Sequence, residues 1–205
     1  MIFHSLDFAA FFVVVVTIYW QLSHRAQNLL LLAASYVFYG WIHPWFVLIM
    51  LASTTVDYWS AQRMEDDPAR RGGYLAASLA VNLGMLGVFK YFNFFVENVR
   101  DALATVGLTV APPLLEVALP AGISFYTFQA LSYTVDVYKG EMRARRNPID
   151  FALFVAFFPH LVAGPIMRAK NLLVQVEQRR QWDATLARRG TVLVVWGLFK
   201  KLVIA

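Results

Sequence analysis

Long apolar runs separated by short polar stretches dominate the chain. The runs occupy residues 6–22, 29–41, 45–59, 74–95, 119–138, 151–162 and 191–205. A helix needs about 20 consecutive apolar residues to cross the hydrocarbon core of a bilayer. Residues 74–95 reach this length without help from flanking residues. The pattern predicts an all-α, polytopic transmembrane helical protein with about six spans.

The run at residues 151–162 is too short to cross a bilayer. Pro159 falls within it, and the Gly164-Pro165 pair follows it. Non-helical backbone at membrane depth is tolerated only inside protein or beside a water-filled cavity. We therefore expect a short segment that is re-entrant or is buried against other helices.

Composition changes the expected surroundings of the protein. The chain is 59% hydrophobic and 15% charged, with a mean hydropathy of +0.54, which is unusual for a soluble domain. A net charge of +5 would suggest nucleic acid in a soluble protein, but here the basic residues lie between apolar runs. The expected partner is therefore the lipid bilayer, and no nucleic acid is expected. The absence of cysteine excludes a thiol nucleophile or a thiolate metal site.

Basic residues concentrate in alternate loops. The basic loops contain Arg25, then Arg63, Arg70 and Arg71, then Lys139, Arg143, Arg145 and Arg146, followed by a basic block at residues 168–189. By the positive-inside rule, the N-terminus lies outside a bacterial inner membrane, and these loops lie in the cytoplasm. The last two can share a side only if residues 151–162 enter and leave by the same face, or form one arm of a hairpin.

Nothing in the sequence divides the chain. No repeat or long linker is evident, so residues 1–205 are treated as a single membrane domain. The stretch at residues 97–119 is expected on the outer side. A helix lying on the membrane surface and an ordinary periplasmic loop are both open alternatives there.

Polar groups inside apolar runs are costly in lipid, and each is a candidate for function. The candidates are Asp57, Lys90, Asn93, Gln129, Asp136 and His160. Asp57, Lys90 and Asp136 are expected near helix ends, where a long side chain or a carboxylate reaches interfacial water. A structural role is favoured for those three.

His160 lies beside the Pro-Gly break, and an imidazole can act as the general base that O-acyl transfer requires. The favoured alternative is a structural histidine that hydrogen-bonds a carbonyl freed by the break. Gln129 and Ser132 share a helix face that could line a tunnel and bind substrate, although packing between helices explains them equally. No triad, phosphate-binding loop or zinc-binding pair is recognisable. No catalytic residue, bound cofactor or metal is therefore assigned.

Five strings, taken in order along the chain, resemble the membrane-bound O-acyltransferases, closest to the alginate O-acetyltransferase branch. They are residues 28–41 (NLLLLAASYVFYGW), 89–95 (FKYFNFF), 119–141 (LPAGISFYTFQALSYTVDVYKGE), 147–168 (NPIDFALFVAFFPHLVAGPIMR) and 197–205 (GLFKKLVIA). The resemblance implies a helical fold with a funnel through the membrane. It also implies an acyl donor from the cytoplasm, acetyl-CoA or another acyl carrier, and transfer to a hydroxyl of an exported polysaccharide such as alginate.

The resemblance leaves other functions open. Proteins of polysaccharide acetylation and export are the expected partners, and the basic block at residues 168–189 could approach an acidic donor. Related proteins that transfer D-alanine to teichoic acids usually have small hydroxyl residues where this chain has residues 160–163, which favours polysaccharide acetylation. A transporter or an assembly subunit for polysaccharide export is a further alternative, although no inverted repeat supports transport.

The family's catalytic histidine lies in a later helix, beyond a Trp-Arg-Arg-Trp-His type segment. Residues 1–205 contain no counterpart of either, and His160 does not take that role. The expectation is the N-terminal part of an acyltransferase domain, truncated before the catalytic region and inactive alone.

Overall fold

The computed structural model describes residues 3–41, 43–105, 107–108, 120, 122–161, 164–165 and 167–204. These residues are helical or irregular, and no strand occurs among them. The all-α prediction is therefore confirmed for this part of the chain.

The helices follow the predicted apolar runs closely. They are α1 (Leu6–Tyr19), α2 (His24–Gly40), α3 (Trp45–Asp66), α4 (Arg71–Leu86), α5 (Phe92–Thr105), α6 (Ile123–Tyr138), α7 (Pro148–Ala156), α8 (Phe158–Leu161), α9 (Ala169–Glu177) and α10 (Ala184–Phe199). A 3-10 turn (Pro68–Arg70) precedes α4, and π-helical segments follow α4 (Gly87–Tyr91) and α10 (Lys200–Ile204). Strong N-caps begin several helices: the side chains of Ser5, Asn147 and Asp183 each accept a backbone N–H of the first turn.

The helix α3 is longer than its apolar run and corrects one prediction. It continues through polar residues to Asp66 and ends there because Asp67 precedes Pro68, a position that disfavours helical geometry. Asp57 therefore lies well inside the helix and is 0% exposed. The expectation that this carboxylate reaches water at a helix end is wrong.

Two groups of helices form the interior. Helices α3, α4 and α6 pack against one another, while α7 packs against α2, α3, α6 and α9. The helix α7 is the most enclosed element, since Phe151, Leu153 and Phe154 are 0% exposed. Most of the described part of the short apolar run, residues 151–161, is thus buried against other helices, as one of the two alternatives predicted.

One helix among the described residues is long and apolar enough to cross a membrane. It comprises the 3-10 turn, α4, the π segment and α5, a continuous 38 residues from Pro68 to Thr105. At 1.5 Å per residue it is about 57 Å long, well beyond the roughly 30 Å of a hydrocarbon core. The apolar helices Leu6–Tyr19 and Pro148–Leu161 are shorter. Helix length and hydropathy therefore identify one candidate span, where the pattern predicted about six.

The stretch predicted on the outer side is partly described. Residues 97–105 are helical and belong to α5. Residues 106 and 109–119 lie outside the described residues, so the choice between a surface helix and a loop is untested there.

Apolar side chains cover much of the molecular surface. On α10, Leu193, Val195 and Trp196 are 69%, 61% and 52% exposed, and no residue of this helix is buried. Contiguous apolar surface of this kind marks contact with lipid or with other protein.

Candidate functional site

The helices α7, α8 and α9 form a hairpin whose two ends meet at one end of the bundle. The side-chain amide of Asn28, on α2, donates to Asp150 Oδ1 at 2.8 Å and to the Val176 carbonyl at 3.1 Å. Arg145, just before α7, pairs with Glu177, the last residue of α9, at 2.8 Å. The segment therefore enters the bundle and returns to the same end, as the loop charges predicted.

The helix is broken within the hairpin, and side chains of other helices hydrogen-bond the backbone groups that the break leaves unpaired. Helical geometry stops at Phe157, with φ −54° and ψ 103°. The Gln129 side-chain amide, on α6, donates to the Phe154 carbonyl. The Phe158 N–H donates to Ser35 Oγ, on α2, at 3.2 Å. Because unpaired backbone groups are costly in a buried place, these two side chains make the break possible.

The far end of the hairpin packs against the beginning of α6. Gly122 precedes α6 with φ +77°, and a Cβ added there would overlap the Leu161 carbonyl oxygen. Glycine is required at this position on both counts, since other residues rarely adopt such a φ. The hairpin thus traverses the bundle from the end of α6 to its beginning.

His160 lies beside this far end. Its ring is half-buried, and its Nδ1 has no hydrogen-bond partner among the described residues. The Gly164 N–H donates to the His160 carbonyl at 3.0 Å. A Cβ at Gly164 would come within 2.6 Å of the His160 Cα. The backbone of His160, rather than its Nδ1, takes part in the turn.

A cleft of about 430 Å³ runs beside the hairpin, between α1, α2 and α9. Val15, Leu31 and Phe158 contribute to its apolar wall, His160 lies toward the far end, and Arg180 lines the end near Asn28. Arg180 Nη1 donates to Asn28 Oδ1 at 2.6 Å. The cleft thus combines an apolar wall with polar groups that include His160 and Arg180.

The end of the bundle that holds Asn28 is also where the basic loops meet, and we call it the basic end. Arg146 pairs there with Asp66 at 2.8 Å, and the Arg71 guanidinium lies 5.2 Å from the Tyr138 ring. These contacts join the loops after α3 and α6, as the alternating charge pattern requires. Arg168 is an exception, because it precedes α9 and so lies at the other end of that helix from Glu177.

Electrostatics at the hairpin ends are balanced between burial and pairing. Burial raises the pKa of the Glu177 carboxyl, while the Arg145 guanidinium lowers it. Burial is the larger effect, so the pKa of the Glu177 carboxyl is raised despite the ion pair that joins the two ends of the hairpin.

The other candidates are dispersed over the bundle. The Ser132 hydroxyl donates to the Gln129 carbonyl of its own helix at 2.7 Å, and Lys90 Nζ donates to Ser124 Oγ at 3.0 Å. Asp136 is 8% exposed. No hydroxyl among the described residues hydrogen-bonds His160 Nδ1. No group of three or more His, Cys, Asp or Glu residues in the described ranges could hold a metal ion.

Sequence reasoning missed three residues that hold the hairpin: Asn28, Ser35 and Gly122. Asn28 and Ser35 lie two helical turns apart on one face of an otherwise apolar run. That spacing is the signal that could have identified them. Gly122 carried no signal of its own, because its need for glycine arises from contact with Leu161.

Comparison with known proteins extends this local description. The chain is 40% identical, over 100% of its length, to probable alginate O-acetylases of Pseudomonas syringae and Pseudomonas aeruginosa, of which it covers 40%. It is 30% identical, over 91% of its length, to a peptidoglycan O-acetyltransferase of Helicobacter pylori, of which it covers 41%. No family model matches the chain, and no solved structure matches it.

The chain thus spans about two fifths of the length of these relatives. Its similarity extends through all five strings that carried the family resemblance, since the alginate O-acetylases align with all of its residues. Along its whole length, this chain is homologous to part of the probable alginate O-acetylases of Pseudomonas.

Proposed function

We propose that this chain is the scaffold part of a membrane O-acetyltransferase that acetylates hydroxyls of an exported polysaccharide. The observation that carries this proposal is the 40% identity to alginate O-acetylases over the full chain. Those relatives are more than twice as long, so the chain corresponds to one part of each of them.

We propose a multi-pass protein of the bacterial inner membrane, with its N-terminus outside. Exposed apolar side chains on α1 and α10 support contact with lipid or with the remaining helices of a larger protein. The convergence of basic loops at one end supports a cytoplasmic basic end. In this orientation the hairpin is re-entrant from the cytoplasm, and α5 extends toward the outer side.

The cleft beside the hairpin gives the acyl donor a route. A donor such as acetyl-CoA, or a cytoplasmic acyl carrier, is acidic and would meet Arg180 and the other basic residues at the cytoplasmic end. The apolar wall would exclude water from the acyl thioester as it moves toward the outer half. No cofactor resides in the chain in this scheme.

His160 is placed in the wall of the funnel and outside the reacting set. Its Nδ1 has no hydroxyl partner among the described residues, whereas base catalysis needs the proton donor within hydrogen-bond reach. We therefore expect the catalytic groups in other parts of the full enzyme, and no acetyl transfer by residues 1–205 alone.

Alginate is the first candidate acceptor, because the relatives at 40% identity carry that name. Peptidoglycan is the second candidate, supported by the 30% identity to the Helicobacter pylori protein. Both are polysaccharides with free hydroxyls, and the reaction would be the same.

A chimera tests the proposal. The segment of the Pseudomonas aeruginosa alginate O-acetylase that matches this chain is replaced by residues 1–205, in a strain that lacks its own enzyme. Acetyl esters on the secreted alginate are then measured. We expect acetylation to be restored, because the scaffold and hairpin are retained.

The controls separate folding from function. A chimera with His160→Ala is expected to retain acetylation at normal membrane abundance, and its loss at normal abundance would give His160 a direct role. An unmutated chimera that is abundant but leaves alginate unacetylated would contradict the proposal. Restoration only in the reciprocal chimera with the Helicobacter pylori enzyme, measured on peptidoglycan, would favour the second candidate.

A further inference from the structure

A buried polar cluster, separate from the hairpin, joins α3, α4 and α6. No member is more than 1% exposed. The members are Ser53, Asp57, Ser60, Ser78, Asn82 and Thr134. Ser53, Asp57 and Ser60 follow one another at helical spacing on α3, and Ser78 and Asn82 do the same on α4, so both helices turn a polar face toward the same place. We call these six residues the polar cluster.

One oxygen of the Asp57 carboxylate is fully hydrogen-bonded. Its Oδ1 accepts from Ser78 Oγ at 2.6 Å and from Asn82 Nδ2 at 2.8 Å. Ser53 Oγ donates to Asn82 Oδ1 at 2.6 Å, which fixes the orientation of the amide. Thr134 Oγ1 lies 3.5 Å from Ser78 Oγ and brings α6 to the cluster.

Two other oxygens of the polar cluster are unsatisfied. Asp57 Oδ2 and Ser60 Oγ have no hydrogen-bond partner among the described residues, although both residues are 0% exposed. A buried carboxylate without compensation is costly, and in a bilayer interior it marks a site of function. No ion pair in the described part of the chain includes Asp57.

The chemistry of these oxygens selects the occupant. Carboxylate and hydroxyl oxygens are hard ligands, which suit cations of the alkali and alkaline-earth type. A single carboxylate balances a single positive charge, which favours a monovalent ion over Ca²⁺ or Mg²⁺. Oxygens that share an ion at about 2.4 Å lie about 3.4 Å or more apart, so they form no close hydrogen bond with each other.

We propose that the polar cluster binds a sodium ion, with Asp57 Oδ2 and Ser60 Oγ among its ligands. The ion would neutralise the Asp57 charge. Both of its named ligands lie on α3, and the other oxygen of the same carboxylate is held by Ser78 and Asn82 on α4, so the ion would stabilise the contact between the two helices through Asp57. The site is separate from the hairpin and from the cleft, since none of its members lines the cleft or hydrogen-bonds the described part of the hairpin.

The test is thermal unfolding of the purified chain in detergent, at constant ionic strength, in NaCl, KCl or N-methyl-D-glucamine chloride. We expect the melting temperature to rise by at least about 5 °C in saturating Na⁺ relative to N-methyl-D-glucamine, and less in K⁺. Retention of ²²Na⁺ by the same protein gives a second readout. Equal melting in all three salts together with no retained ²²Na⁺ would overturn the proposal and would indicate a protonated, neutral Asp57.

Two variants locate the ion. Asp57→Asn keeps the shape of the side chain but removes the charge, and it is expected to abolish the sodium-dependent shift. Ser60→Ala removes an unsatisfied hydroxyl. If that hydroxyl did not bind the ion, the variant would show the same sodium-dependent shift in melting temperature as the wild type. We expect it to reduce that shift at least twofold. The control is Thr55→Ala, on the exposed face of α3, where the hydroxyl donates to the Leu51 carbonyl. It should respond to Na⁺ like the wild type. A sodium-dependent shift that survives in Asp57→Asn would contradict the proposed site.

Discussion

At the residue scale, glycine at position 122 decides whether the hairpin can reach the beginning of α6. Its positive φ and its contact with the Leu161 carbonyl oxygen are separate requirements. Gly140 has a similar φ of +76° but no neighbouring atom within 4 Å of an added Cβ. The two glycines therefore allow the contact to be measured apart from the backbone conformation.

We predict that Gly122→Ala destabilises the protein by more than Gly140→Ala. The control should cost about 1–2 kcal/mol, the strain of a left-handed residue, whereas Gly122→Ala adds a displacement of the hairpin from α6. Melting of the two variants in detergent measures the difference. Equal shifts would contradict the close contact between Gly122 and Leu161.

The candidate site could be predicted from sequence only in part, for reasons that individual residues make clear. Pro159 and Gly164 predicted a break, because their backbone chemistry acts locally. Gln129 was interpreted as a possible tunnel residue, yet its amide donates to the Phe154 carbonyl, a tertiary contact that no spacing rule supplies. A role for Gln129, Ser132 or His160 in substrate binding stays a prediction.

At the element scale, the hairpin is held by side chains of other helices rather than by its own length. Asn28 is the most connected of these, because it joins the beginning of α7, the end of α9 and Arg180. The apolar pattern predicted a segment that enters and returns, since the break and the charges of the flanking loops agreed. It did not predict the end of α3, because polar residues can continue a helix until a proline intervenes.

We predict that Asn28→Ala loosens the hairpin ends at a cost of about 1–3 kcal/mol, the usual effect of leaving buried partners unsatisfied. The melting temperature should fall, and trypsin should cleave more rapidly near Arg179 and Arg180. The matched control is Asn98→Ala, whose exposed amide donates only to the Phe94 carbonyl of its own helix. Equal protease sensitivity in the two variants would show that Asn28 does not anchor the hairpin.

At the scale of the whole molecule, the fold is a helical bundle with a basic end and an apolar surface. The long apolar runs predicted the all-α class, because such runs are typical of helices in lipid. The alternating loop charges predicted that the basic loops meet at one end, because basic loops share one side of a membrane. Helix length could not establish the number of spans, since several of the described apolar helices are shorter than a bilayer is thick. Asp57 was a candidate from the sequence, but its complete burial could not be predicted, because the residues that enclose it come from α4 and α6.

The most direct test of the hairpin in a membrane uses the fact that the chain has no cysteine. Single cysteines are introduced at the exposed positions Arg143, Gln178 and Asp101, and cells are treated with a membrane-impermeant maleimide before or after opening of the inner membrane. The account predicts that Arg143→Cys and Gln178→Cys react only after opening, whereas Asp101→Cys, on α5, reacts in cells with only the outer membrane permeabilised. Labelling of Arg143→Cys and Gln178→Cys from opposite sides would contradict it.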